Sequence, residues 1–261
     1  MNIHPTKKLG LIKRPIGRKT CHLKNYLDLS KLPQPPSVVN WLPECPQATQ
    51  LFANDQIGDC AVAGFLHIQE LILGAAKKPK LFTDTDAVAL YTVATATLNN
   101  GVAYSPDNPD SDTGLVLIDF LEFLRKQGEI LAHAEVNLAN DQMLQIGRYL
   151  FGGLYRGFNM PVFVQNLQNI WEIPDPTLNL GDATPASWGG HCVSDYGHEL
   201  DGSVNIVSWG DEIIVKPDFL QKYQSEAHII IFPDSPAADD NFIGGNFALQ
   251  DLISDLNQLK Y

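Results

Sequence analysis

From position 60 the chain carries an apolar run, CAVAGFLHIQELILGAA, whose hydrophobic residues cover every face of the first three helical turns. That pattern predicts a helix sunk inside a core rather than lying on one, ended by the Lys-Pro cluster at 77–80. A second helix is predicted over 84–98 (DTDAVALYTVATATL), capped by Thr83 or Asp84, and a third over 115–128 (LVLIDFLEFLRKQG), stopped by Gly128. The segment between them, NNGVAYSPDNPDSDTG, holds Asn, Asp, Gly and Pro at a density that reads as loop. The period then changes. The segments 160–166, 189–199, 202–210 and 227–233 are short and rich in Val, Ile, Phe and Tyr, which predicts strands. Asp201-Gly202 marks a hairpin between two of them. Helices first and strands later predict an α+β protein, with a helical lobe at about 54–135 and an antiparallel sheet lobe at about 155–235.

Charge divides the chain differently. Seven of the 18 basic residues fall in the first 24 positions, where there is no acid, and the overall net charge is −12. The picture is a basic arm over residues 1–32 on an acidic body over 33–261. An acidic body excludes a general nucleic-acid binder. The arm has no apolar core or cleavage pattern of a signal peptide, and no segment has the unbroken apolar length of a membrane span. Cys21, Cys45, Cys60 and Cys192 form no CxxC pair, which suggests reduced thiols. The cytoplasm or another reducing compartment is expected, with a virion as an alternative setting. The Pro-rich stretch LPQPPSVVNWLPECP is an extended connector.

Cys60 stands where a Pro-rich connector gives way to a buried helix. Free N–H groups and the positive end of the helix dipole there favour a thiolate. A thiol nucleophile needs a base from elsewhere in the chain. His191, in WGGHCV, is the best placed, because Gly189 and Gly190 allow backbone and substrate to approach closely. His67 shares the helix face of Cys60 and reads as a core histidine. Cys60, His67, His191, Cys192 and His198 lack zinc-site spacing, and the Asp107, Asp110, Asp112 loop lacks a closing Glu. No metal or other cofactor is therefore expected.

The blocks PPSVVNW…NDQIGDC, GGHCVSDYGHELDG and NIVSWG resemble, in order and spacing, those of the papain-like cysteine peptidases. The resemblance implies a two-lobed papain-like α+β fold, a helical lobe followed by an antiparallel sheet or barrel lobe. It implies Cys60 as nucleophile, His191 as base, and Asn54 as the side-chain amide at the oxyanion, with Gln56 as its alternative. Gly58, Gly114, Gly190 and Trp209 fall at positions that line the substrate or shield the base. Val207 stands where the family keeps the Asn that orients its His. Asn205, Ser208 and Asp195 are the candidate replacements. Asp59, beside the thiol, opposes its ionisation if charged.

Two functions follow as expectations. The first is a cysteine hydrolase cleaving a peptide or amide bond of a peptide or protein substrate through a thioester. The second is a weakly active or inactive relative of that fold, a binding or assembly module of the kind a phage or bacterial accessory protein provides. The arm is expected to lie on the acidic body or on a neighbouring subunit, held partly by charge.

Overall fold

The computed structural model describes residues 7–259. The first six positions of the basic arm and the last two of the body lie outside the described residues. The first strand, β1 (Leu11–Ile12), belongs to the arm, and β2 (Val39–Asn40) to the Pro-rich connector. Then come α1 (Cys60–Ala75), α2 (Asp84–Leu98), β3 (Leu115–Val116), α3 (Leu117–Gln127), β4 (Ala132–Glu135) and α4 (Asp141–Leu150). The second half holds β5 (Leu154–Met160), β6 (Ile170–Trp171), β7 (Gly189–His198), β8 (Val204–Ser208) and β9 (Asp211–Val215). Finally α5 (Pro217–Tyr223), β10 (Gln224–Ile231) and α6 (Leu249–Gln258) close the chain.

The helices form where the apolar pattern placed them, and their ends follow local chemistry. Thr83 caps α2 in a reciprocal capping box with Asp86, and Gly128 ends α3 in the left-handed conformation, which costs glycine little. All but the last residue of α1 are buried. With α2 and α3 it builds one core around Phe65, Phe120 and Leu121.

Two predicted elements shift. The strand placed at 160–166 runs instead over Leu154–Met160, and Val162–Asn166 turns as a 3-10 helix. Pro161, which has no N–H for a ladder, marks the change. The helix placed at 115–128 starts two residues late, because Leu115 and Val116 pair with Leu11 and Ile12.

The main sheet runs β4-β10-β5-β7-β8-β9-β6, with β2 added beside β7. Its pairs are antiparallel except β6 with β9. A second core joins α4, α6 and the β4/β10 face, and it takes in Cys21, Leu23, Tyr26 and Leu27 from the arm. A third, aromatic core fills the β7–β9 end around Phe158, Trp171 and Phe219. Among the described residues no helix is long and apolar enough to cross a membrane. Helix α1 packs directly on β7, and this contact brings the start of α1 to the strand that carries His191.

Candidate active site

Cys60 is the first residue of α1, and no side chain caps that helix. The backbones of Cys192, Gly10 and Ala61 lie near its thiol and favour its ionised form. The Cys192 contact places the sulfur against the backbone next to His191. Both Cys60 and His191 are buried, at 0% and 1% exposure. His191 projects from β7 and lies flat on the Trp209 indole, ring centroids 4.2 Å apart at 12°. Its Nε2 is 2.7 Å from Ser208 Oγ, and its Nδ1 has no hydrogen-bond partner among the described residues.

Strand parity explains why Ser208 holds the ring. Side chains alternate across a strand, so Ser208 shares a face with Ile206, while Val207 and Asn205 turn to the other face. Val207 packs there with Leu71 and Tyr196. The Asn205 amide donates to Glu199 at 2.7 Å, so Asn205 is not the partner of His191. Asp195 is not either. Its two oxygens receive the guanidinium groups of Arg148 and Arg156 at 2.6–3.1 Å.

The other predicted positions divide. Asn54 is buried, and its amide donates to the Ile57 carbonyl at 3.1 Å, closing its own loop. Gln56 is exposed. Gly58 N–H donates to Asp112, which also accepts from the Tyr91 hydroxyl at 2.8 Å, and that hydroxyl accepts from Gly114 N–H. This chain of bonds ties the loop before Cys60 to the loop before β3. Gly114 and Gly190 line the same cleft from opposite sides.

That cleft is filled by the chain itself, which sequence reasoning missed. Residues 8–12 run through it in extended form. Lys8 N–H donates to the Asn54 carbonyl at 3.2 Å, Leu115 N–H donates to the Gly10 carbonyl at 2.8 Å, and β1 pairs with β3 in parallel. Trp209 donates its indole N–H to the Lys8 carbonyl at 3.0 Å. The Lys7 ammonium stands 5.0 Å over the same indole and donates to the Leu167 carbonyl. Only the apolar Leu9, Leu11 and Ile12 beside Gly10 could have signalled a segment that seeks cover.

Burial sets the protonation states under this plug. It pushes the Cys60 thiol up to about 12, with Asp59 adding to the rise. Burial, and then Lys7, holds His191 down to about 3. Burial also raises the Asp59 carboxyl well above its ordinary value, which opposes a negative charge beside the thiol. The covered site thus rests as neutral thiol and neutral imidazole.

The helical lobe, packed through α1 on an antiparallel-rich sheet lobe, makes up the papain-like fold. Among solved structures, the chain superposes on xylellain, a cysteine protease from Xylella fastidiosa, with a TM-score of 0.64 at 15% identity, over 89% of this chain and 98% of that one. A structure of the cysteine protease and lectin-like domains of Cwp84, a surface layer associated protein of Clostridium difficile, matches at 0.55 and 9% identity. That match covers 86% of this chain and 55% of that one. Digestive procathepsin L 3 of the Tenebrio molitor larval midgut matches at 0.54 and 11%, over 88% and 76%. No family model matches the chain, and no curated protein matches it in sequence.

Proposed function

We propose that the protein is a papain-fold cysteine hydrolase of peptide or amide bonds, held closed by its own N-terminal segment. The observation that carries this reading is the cleft: it brings the Cys60 thiol to the strand of His191, and it holds an extended peptide by backbone hydrogen bonds. With the proton of His191 on Nε2 and directed at Ser208, the Nδ1 lone pair is open to take the Cys60 proton. The thiolate then attacks the substrate carbonyl carbon, and backbone N–H groups at the head of α1 receive the oxyanion. The C–N bond breaks, the leaving amine takes the proton from His191, and a thioester remains. Water, losing its proton to His191, attacks the thioester. The C–S bond breaks, the acid departs and the sulfur recovers its proton.

The plug is not itself positioned for this reaction. Gly10 turns its backbone N–H to the thiol and its carbonyl to Leu115. Replacing Leu9 and Leu11 together by Asp in the full chain puts two charges into apolar sites and is expected to expel the segment. Cys60 alkylation by a small electrophile, followed by mass spectrometry, then reads the site. In the wild type it is expected to be slow. In the displaced variant it is expected to be fast well below pH 7, and to become slow again on adding His191→Ala. If the displaced variant alkylates like an ordinary thiol whether or not His191 is present, the reading fails and the cleft is a binding groove.

A further inference from the structure

We infer that the cleft selects peptides with a glycine between aliphatic residues, and that the backbone of Gly58 and Gly114 sets this requirement. The inference deepens the hydrolase reading and rests on it for catalysis, but it rests on the geometry of the cleft for binding.

The plug shows what the cleft accepts. At Gly10 two backbones touch: a Cβ there would lie 1.6 Å from the Gly58 carbonyl oxygen and 2.3 Å from its carbon. Nothing in this contact is a flexible side chain that can swing away. The wall is also held from behind, because Gly58 N–H is fixed by Asp112, and Asp112 by Tyr91 and so to Gly114. On the far side, a Cβ on Gly114 would lie 2.2 Å from the Gly10 oxygen, and Gly114 has a φ of +72° that strains any other residue. A peptide lying at this depth therefore has room for backbone only, whichever way it runs.

The flanking positions differ. Leu11 is 9% exposed, and its side chain reaches Gly157 on the floor of the sheet. A cavity of about 410 Å³ opens beside it, lined by Gly190, Asn159, Gln224 and Glu226. Leu9 packs toward Gly189 and the aromatic core. The aliphatic positions are roomy while the middle one is closed, so selectivity concentrates at the middle residue. In the sequence, Leu-Gly-Leu at 9–11 has this form.

The test uses the full-length Leu9→Asp/Leu11→Asp variant and three blocked hexapeptides: Lys-Leu-Gly-Leu-Ile-Lys, as at residues 8–13, and the same sequence with Ala or Ser for Gly. Binding is read as protection of Cys60 from alkylation, and cleavage by mass spectrometry of the peptide. The glycine peptide is expected to protect at concentrations at least about tenfold lower than the other two. In the otherwise native chain, Gly10→Ala is expected to speed Cys60 alkylation at least about tenfold, and Ile16→Ala, at a fully exposed position beyond the cleft-filling segment, to leave it unchanged. Equal protection by all three peptides, or a Gly10→Ala chain as closed as the wild type, overturns the inference. Protection by the glycine peptide without cleavage of any peptide leaves the inference standing and counts against the hydrolase reading. Cleavage without glycine preference does the reverse.

Discussion

At the scale of single residues, the site turns on what holds His191. Among the described residues Ser208 supplies the one hydrogen bond to its ring, and both side chains are buried. Ser208→Ala leaves Nε2 buried and unpaired, which is expected to cost about 1–3 kcal/mol of stability by urea denaturation. In the plug-displaced background it is also expected to flatten the pH profile of Cys60 alkylation, and Ser208→Thr is expected to restore it. A stability loss with an unchanged profile would show that the bond only packs the ring. Cys60, His191 and Trp209 were legible in sequence because each stands beside a local signal: a helix start, a glycine pair, a Trp-Gly turn. Asn205, Ser208 and Asp195 could not be separated by spacing, because the choice depends on which side chains of β8 share the sheet face of His191. The resemblance assigns Asn54 to the oxyanion, but its amide donates to the Ile57 carbonyl, and that bond depends on how the 54–57 loop closes.

At the scale of elements, the fold is tied together by charge where it has the least water. Arg148 from α4 and Arg156 from β5 converge on Asp195 of β7, all three at most 2% exposed. Removing the shared anion strands two buried cations, so Asp195→Asn is expected to cost about 3–5 kcal/mol, measured as a lowered denaturation midpoint. A loss below about 1 kcal/mol would mean that water reaches the triad. The helices α1 to α3 were readable from period and caps, since these are local. The β1–β3 pair was not. It joins two-residue strands more than a hundred positions apart, and no local pattern encodes such a contact. The same distance hid the fact that the basic arm fills the cleft.

At the scale of the whole molecule, charge is a lesser force than burial in seating the arm, and acid acts through buried groups. Arg14 pairs with Glu135 and Arg18 with Asp119, each side chain 20–25% exposed. Such pairs are worth about 0–1 kcal/mol, whereas burying one large aliphatic side chain is worth about 1.5–3 kcal/mol, and Leu11, Leu23 and Leu27 are all buried. Raising salt to about 1 M is therefore expected to change Cys60 alkylation in the wild type by less than about tenfold. A larger change would make the ion pairs the principal latch. The response to pH has a different origin. Burial holds His67 and His133 down to about 4 and His191 to about 3, and lowers His198. Unfolded histidines titrate near pH 6.5, so below that the unfolded chain gains protons that the folded chain refuses, and stability falls with pH. Glu70, raised by burial to about 7, acts in the opposite sense, and so does Asp59, whose carboxyl burial also raises. Between about pH 4.5 and 7 the folded chain keeps the Glu70 proton after the unfolded chain has released it. The lowered histidines outnumber the two raised carboxyls, so near pH 5 unfolding takes up protons on balance and the acid limb falls. Denaturant midpoints are expected to drop as pH is lowered from about 6.5 to 4.5. Glu70→Gln is expected to steepen that drop, because it removes the one proton at Glu70 that the folded chain holds more tightly than the unfolded chain. A midpoint that stays level over this range would mean that the buried histidines take up protons in the folded chain.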